Sequence, residues 1–516
     1  MKNILRNILI SGVAVTMLAS CDLDLFPTTA IPYEDGDLLI QSEQDIAEFQ
    51  NGVIASYRSL QYGTFYQTVE VMSECFNATV DFGNNYGFVH RLGDDFLASD
   101  EYIATIWSSH YAAIKNYNVA IEQCEMIKDT TLIPSANILK GMALFCRASS
   151  YLSLARAFAP DYDPATASTT DNVPLILKYN QWEKPVRAKT QKVYEQIIFD
   201  LMDAEDLLSA AAAEGTIKVN GTSVNLAGSP RSVVPTLDAI KALKARYYLD
   251  THDYYSAAVT AEDVIKSSAG YALATNEDDM IKEFMYDEGN ESLIRLFASK
   301  SEGVVGCSIY TGVADTSEEG KFFSPMFLPS QTIINVYDNT DLRKKVWFPM
   351  DYYPVKVNGI LYDGIHVFTK YLGCPNLQEG KNEDARHYAK PLMLAEMYLI
   401  AAEAYAQDTD NDNAKRVLNA LQTARKANLT DGSLQSVKKE WMRETVGDGQ
   451  RINCIKRWGD GMPARPAQKA AEEIVAATPP SDYAERVVDA TSHTLVWPIP
   501  SYELKITPDL GQNNGY

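Results

Sequence analysis

The chain has 516 residues, enough for one large hydrophobic core or two smaller ones, and its 46% hydrophobic and 22% charged residues are an ordinary globular balance. A formal charge of −22 argues against nucleic acid, whose binding draws on Lys and Arg to neutralise phosphates, and against broad adsorption to an anionic membrane surface. Thirty Tyr and 6 Trp are rings that favour half-wet positions, so surface display and helix packing are both open to them.

Lys2 and Arg6 form a basic start, and residues 8–17 are mostly apolar but too few to span a bilayer. Leu18-Ala19-Ser20-Cys21 matches a bacterial lipobox, in which Cys21 is acylated and becomes the first residue of the mature protein. Residues 1–20 are therefore expected to be a lipoprotein signal peptide. No second long apolar run follows, so the mature chain is expected to be anchored by lipid rather than to span a membrane. Residues 21–42, with Pro27, Pro32 and Gly36, read as a tether ahead of a single domain at 43–516. The six remaining cysteines, Cys75, Cys124, Cys146, Cys307, Cys374 and Cys454, form no CxxC pair and read as small buried hydrophobes. Export permits disulfides, and Cys124 and Cys146 on consecutive predicted helices are the pair that could form one.

Along the chain, 43–60 is a predicted helix with Ile46, Phe49, Val53, Ile54 and Tyr57 apolar and Ser42 as its N-cap. Residues 62–100 read as loop-rich, and helices are predicted at 102–127, 136–158 and 191–213. Residues 215–235 are turn-rich. From 271 to about 386 strand-like pieces such as 292–297 and 367–371 alternate with Gly, Pro and aromatic loops, which predicts a long insertion. A basic helix at 437–457 follows, closed by the turn Trp458-Gly459-Asp460-Gly461. The tail 496–516 cannot be helical at Pro498 and Pro500 and is expected to dock on the body through Trp497.

One helical pair carries an internal repeat. Pro391 suits a first helical turn, and Leu394, Met397, Tyr398, Ala401, Ala402 and Tyr405 follow at helical spacing. After a polar loop at 407–413, Ala414, Val417, Leu418, Leu421 and Ala424 form a second stripe, so the two helices are predicted to pack antiparallel. Ala402, Tyr405 and Ala414 have the spacing of Ala245, Tyr248 and Ala257, and Ala148 and Tyr151 repeat its first two positions. The pattern resembles the tetratricopeptide helix pair, with copies separated by insertions rather than in tandem.

No catalytic motif stands out. His90, His110, His252, His366, His387 and His493 are scattered without HExxH, and no complete GxSxG, Walker loop or dinucleotide fingerprint occurs. Asp408, Asp410 and Asp412 imitate the start of a calcium loop, but Asn413 and Asn419 stand where Gly and Glu are required. No catalytic residue, metal or cofactor is predicted. Binding has a plainer basis, because flat C–H faces of sugars stack on rings while hydroxyls need amides, carboxylates and Arg. Asp81, Phe82, Asn84, Asn85, Tyr86, Phe88 and Arg91 place such groups in one Gly-containing loop, and Tyr310 with Phe322 and Phe323 forms a second candidate. The alternative for both is rings folded back onto the body. Trp107 and Trp497 read as core, and Trp182 could be either.

Four segments carry a wider resemblance: 394–404; Tyr337-Asp338-Asn339-Thr340-Asp341-Leu342-Arg343; Lys456-Arg457-Trp458-Gly459-Asp460; and Trp497-Pro498-Ile499-Pro500 through Gln512-Asn513-Asn514-Gly515-Tyr516. With the lipobox, and in this order, they resemble the SusD/RagB family of outer-membrane surface lipoproteins from Bacteroidetes. One departure is Trp441-Met442-Arg443-Glu444-Thr445-Val446-Gly447-Asp448-Gly449-Gln450-Arg451, where the family usually shows an Arg-rich stretch ending in Glu-Gly-x-Arg. The resemblance implies a mainly α, tetratricopeptide-like helical-hairpin scaffold with a long loop-rich insertion carrying short strands. It also implies a non-enzymatic, lipid-anchored protein facing the cell surface that captures a glycan, or in some branches a peptide. Its partner would be a SusC-like TonB-dependent transporter. A surface hydrolase and a purely structural scaffold are the competing readings.

Overall fold

The computed structural model describes residues 37–516 apart from 62, 82–85, 94–95, 179, 181–183, 220–221, 303–307 and 476–484. The signal segment and Cys21 lie outside the described residues, as do Phe82, Asn84, Asn85, Trp182 and Cys307. Among the described residues no helix is long and apolar enough to cross a membrane.

The scaffold is helical and built from antiparallel pairs. Leu237–Asp250 pairs with Tyr254–Ile265, and Leu394–Gln407 pairs with Asn411–Ala424. The two hairpins turn in the same way. His252 and Thr409 take left-handed backbone (φ 61 and 62), and Asp253 and Asp410 then cap the second helix by accepting from Ser256 N and Asn413 N. Ala245, Ala257, Ala402 and Ala414 are all fully buried, which lets the helices approach closely. The repeat Tyr serves the neighbouring pair: Tyr405 Oη donates to Glu262 Oε1 at 2.9 Å, bolting one hairpin to the other. The first copy is stretched. Ile133–Phe158 packs on Thr190–Ala212 only after an excursion containing the strand pair Asp171–Pro174 and Arg187–Lys189. Glu43–Ser59, capped by Ser42 as expected, and Glu101–Met126 complete this layer.

Several expected boundaries move. The 62–100 segment is not merely loop: it contains the helix Thr64–Met72, the short helix Gly87–Arg91 and the strand Phe76–Ala78, which pairs antiparallel with Phe327–Pro329. Thr68, Val69, Val71 and Met72 are all buried, so no polar face marks the helical period. Pro391 lies outside its helix, because Leu392–Met393 is spent as a strand against Ser292–Ile294. Residues 367–371 form no strand, since their backbone bonds the carbonyls of Trp347 and Pro349 from a loop. The insertion instead has a four-stranded sheet ordered Ile360–Tyr362, Val355–Val357, Gly320–Phe323, Val313–Thr316, besides the helices Glu277–Phe284, Gln331–Asn335 and Leu342–Trp347. Cys124 and Cys146 do not pair: Cys146 is fully buried beside Tyr57 and Tyr117, whereas Cys124 sits half-buried near Lys140.

Three of the four segments that carried the family resemblance supply buried ion-pair residues, namely Asp341 and Arg343, Glu396 and Glu403, and Arg457. Arg425, outside them, joins the Arg343 network through Glu444. Arg425 is fully buried and donates to both oxygens of Glu291 (2.8 Å each) and both of Glu444 (2.6 and 3.1 Å). Arg343, also fully buried, meets Asp341, Glu440 and Glu444 at 2.6–2.8 Å. Arg457 forks onto Glu403 at 2.8 Å per bond, and the Trp458 indole N–H donates to the same carboxylate. The tail docks as expected: Trp497 N donates to Ala157 O at 2.9 Å, and the Asn513 amide spans the carbonyls of Phe158 and Trp497.

The expected helix 437–457 is broken into Leu434–Thr445 and Arg451–Trp458. The break falls at Gly447 (φ 83) and Gly449 (φ 67), where a Cβ would lie 2.7 Å from Phe368 and Tyr66 respectively. This is the stretch that departs from the family pattern. The Gly449 amide donates to Glu70 Oε1 at 2.8 Å, while Glu70 Oε2 is buried with no hydrogen-bond partner among the described residues. Burial pushes the Glu70 carboxyl up from its ordinary 4.5 to about 7, against the lowering by the Gly447 and Gly449 amides. A carboxyl raised on folding favours the folded state below its unfolded pKa, and that contribution is lost as pH rises through the folded one. The urea midpoint of Glu70→Gln is therefore expected to fall less between pH 5 and 7 than that of wild type. A parallel decline in the two proteins would refute the assignment.

Candidate ligand-binding face

The predicted site residues are divided by burial. Tyr86 has left-handed backbone (φ 57) and is only 7% exposed. Its ring stacks on Tyr102 at 4.0 Å and its hydroxyl donates to Gln67 Oε1 at 2.8 Å. Tyr310 is packed against Phe76 and Phe368, with centroids at 4.3 and 5.5 Å. Phe323 is fully buried under the insertion sheet, and Phe322 is buried with the Lys356 ammonium 4.8 Å from its ring centre. These four rings are buried, as in the folded-back alternative, rather than displayed on the surface. Phe88 remains 42% exposed, with the Arg91 guanidinium 5.2 Å from its ring centre. Asp81 is exposed too, and its Oδ2 accepts from Asn358 N at 2.7 Å. That bond joins the first predicted loop to the turn of the hairpin between Val355–Val357 and Ile360–Tyr362.

Rings that do face outward come from a neighbouring loop. Asp351 takes left-handed backbone (φ 57) and leads into Tyr352-Tyr353-Pro354. The Tyr352 ring is 45% exposed and meets Tyr353 edge-on at 4.8 Å. Phe323 lies near both, with centroids at 6.2 and 5.4 Å, so the buried ring is the floor of the exposed pair. Lys321 Nζ is 5.5 Å from the centre of Tyr353 and donates to Glu383 Oε2 at 3.0 Å. That hydrogen bond raises the Lys321 ammonium above its ordinary pKa. Burial, then the charges of its neighbours, raises the Tyr352 phenol, which therefore stays protonated near neutrality and can donate. Tyr286, 43% exposed, contributes a third ring to the electrostatic surroundings of Tyr352.

The arrangement offers rings for apolar faces and an ammonium, a carboxylate and phenols for hydroxyls. Among the described residues no group of three or more His, Cys, Asp or Glu side chains is placed to hold a metal. Sequence reasoning passed over Tyr352 and Tyr353, although a signal was there. Two adjacent rings directly before a proline mark a loop, and loops on a rigid scaffold are where displayed side chains concentrate.

Comparison with known proteins agrees with this architecture. The family profile described as "Starch-binding associating with outer membrane" matches residues 23–228, and that of the "SusD family" matches 265–516. Among solved structures, a SusD superfamily protein from Bacteroides thetaiotaomicron is 21% identical, with a TM-score of 0.73 over 91% of this chain and 99% of its own. A SusD-like carbohydrate binding protein from Bacteroides vulgatus is 15% identical, with a TM-score of 0.69 over 91% and 98% of the two chains. A laminarin-binding SusD-like protein is 18% identical, with a TM-score of 0.67 over 92% and 100%. Comparison with curated proteins gives no significant match. From near the N-terminus to Tyr516, with one gap between the two matched stretches, the chain belongs to the SusD/RagB family.

Proposed function

We propose that this protein captures a glycan at the outer surface of the cell and hands it to a SusC-like TonB-dependent transporter, held at the outer membrane by acyl chains on Cys21. The observation that carries the reading is the half-exposed Tyr352–Tyr353 pair over Phe323, flanked by Lys321 and Glu383. Asp81, which holds the Asn358 turn at the other end of the Val355–Val357 strand, and the exposed Phe88 with Arg91 are further groups that such a ligand could reach. Family membership and the carbohydrate-binding and laminarin-binding relatives support a sugar as the ligand. The lipobox supports the anchor. Family membership and the binding relatives support capture without cleavage.

Affinity electrophoresis of the mature protein against a polysaccharide series tests the ligand. Tyr352→Ala is expected to weaken retention about tenfold, on the scale of one aromatic contact and its hydroxyl, while leaving the thermal midpoint unchanged. Retention of peptides but of no polysaccharide would overturn the glycan assignment. For the anchor, Cys21→Ala should release the protein from the outer-membrane fraction.

A further inference from the structure

Between the helix Thr64–Met72, the scaffold and the insertion lies a cavity of about 60 Å³ with charged residues in its walls, separate from the tyrosine face. That is room for roughly four or five waters. Its charged walls are already paired. Arg246 donates Nε and Nη2 to Glu396 at 2.7 and 2.6 Å and Nη2 to Pro391 O at 3.0 Å. Asp448 receives the Lys370 ammonium at 2.8 Å and the Tyr371 hydroxyl. Lys390 donates to Glu283 O at 2.8 Å and to Asp287.

Beside the spare lone pairs of Glu396 and Asp448, these bonds leave three donors unused. Arg246 Nη1 has no hydrogen bond among the described residues, and Lys390 keeps a third N–H. Gln450 Oε1 accepts from Arg156 Nη1 at 3.3 Å. A guanidinium can only donate, so this contact fixes the amide's orientation and turns Nε2 outward with no partner among the described residues. One wall is apolar: the Tyr371 ring stacks on His387 at 4.3 Å and 17°. Burial pushes the His387 imidazole down to about 4, so it adds no charge near neutrality.

Surplus donors in a small, half-enclosed space suit a group that only accepts, and charge-assisted bonds to a carboxylate are the strong ones there. We propose that this cavity is a second binding site that takes the carboxylate of a small organic acid about the size of glycerate, held by Arg246, Gln450 and Lys390 over the Tyr371–His387 stack.

Titration calorimetry of the mature protein with glycerate, and with glycerol as the same skeleton lacking the carboxylate, tests this. Saturable binding of glycerate, at least tenfold tighter than glycerol, is expected. Gln450→Leu should weaken glycerate about tenfold, the scale of one charge-assisted hydrogen bond. The variant should fold, because Arg156 stays forked on Asp250. It should keep wild-type polysaccharide retention, whereas Tyr352→Ala should keep glycerate and lose polysaccharide, so the two sites fail separately. Absence of saturable glycerate binding, equal affinity for glycerol, or indifference to Gln450→Leu would each overturn the assignment.

Discussion

Arg425→Met should lower folding stability by about 3–5 kcal/mol, the range for removing one partner of a buried ion cluster. The guanidinium has no access to water and spends its donors on Glu291, Glu444 and the Ala274 carbonyl. Methionine restores much of the volume but leaves two buried carboxylates facing one another without their main counter-charge. Burial alone would raise the Glu444 carboxyl, yet the Arg425 and Arg343 charges prevail and hold it down at about 2. A depressed carboxyl stabilises the fold above its unfolded pKa, and that contribution is lost as pH falls towards the folded value. The variant should therefore show a shallower acid limb as well as a lower urea midpoint at neutral pH. A midpoint shift worth under ~1 kcal/mol would mean that Arg343 alone compensates Glu444.

Tyr86→Ala is expected to cost about 3–5 kcal/mol, as truncation of a buried aromatic ring does. It would remove the stack on Tyr102 and the hydrogen bond to Gln67 together. Tyr86→Phe, which loses only the latter, should cost about 1 kcal/mol. Thermal unfolding reads both, and polysaccharide retention by the folded fraction should match wild type. Retention lost at an unchanged thermal midpoint would put Tyr86 back among the displayed rings.

The contrast between Tyr86 and Tyr352 shows what the sequence could and could not disclose. The repeat of Ala245, Tyr248 and Ala257 in Ala402, Tyr405 and Ala414 was legible, because closely packed helices need a small residue wherever two backbones cross. Arg343 and the Arg457–Glu403 pair sat in recognisable segments for a similar reason, since removing one charge strands its partner, whereas Arg425 lay outside every recognised segment. Ring direction obeys no such local rule. Tyr86 and Asp351 share the same left-handed backbone, but Tyr86 turns onto a waiting Tyr102, while the turn at Asp351 lifts Tyr352 above an already filled floor. Those outcomes depend on chain far away in sequence. The helix break at Gly447 and Gly449 was hidden likewise, because what forbids a side chain there is Phe368 and Tyr66.

The Arg425–Glu291–Glu444–Arg343 junction joins the insertion to the last hairpin at four fully or nearly buried charges. The insertion is thus no detachable module, and excising it would leave the remainder with stranded ions. Exchange of Tyr352 for another ring at its loop tip would, by contrast, leave that electrostatic keystone undisturbed.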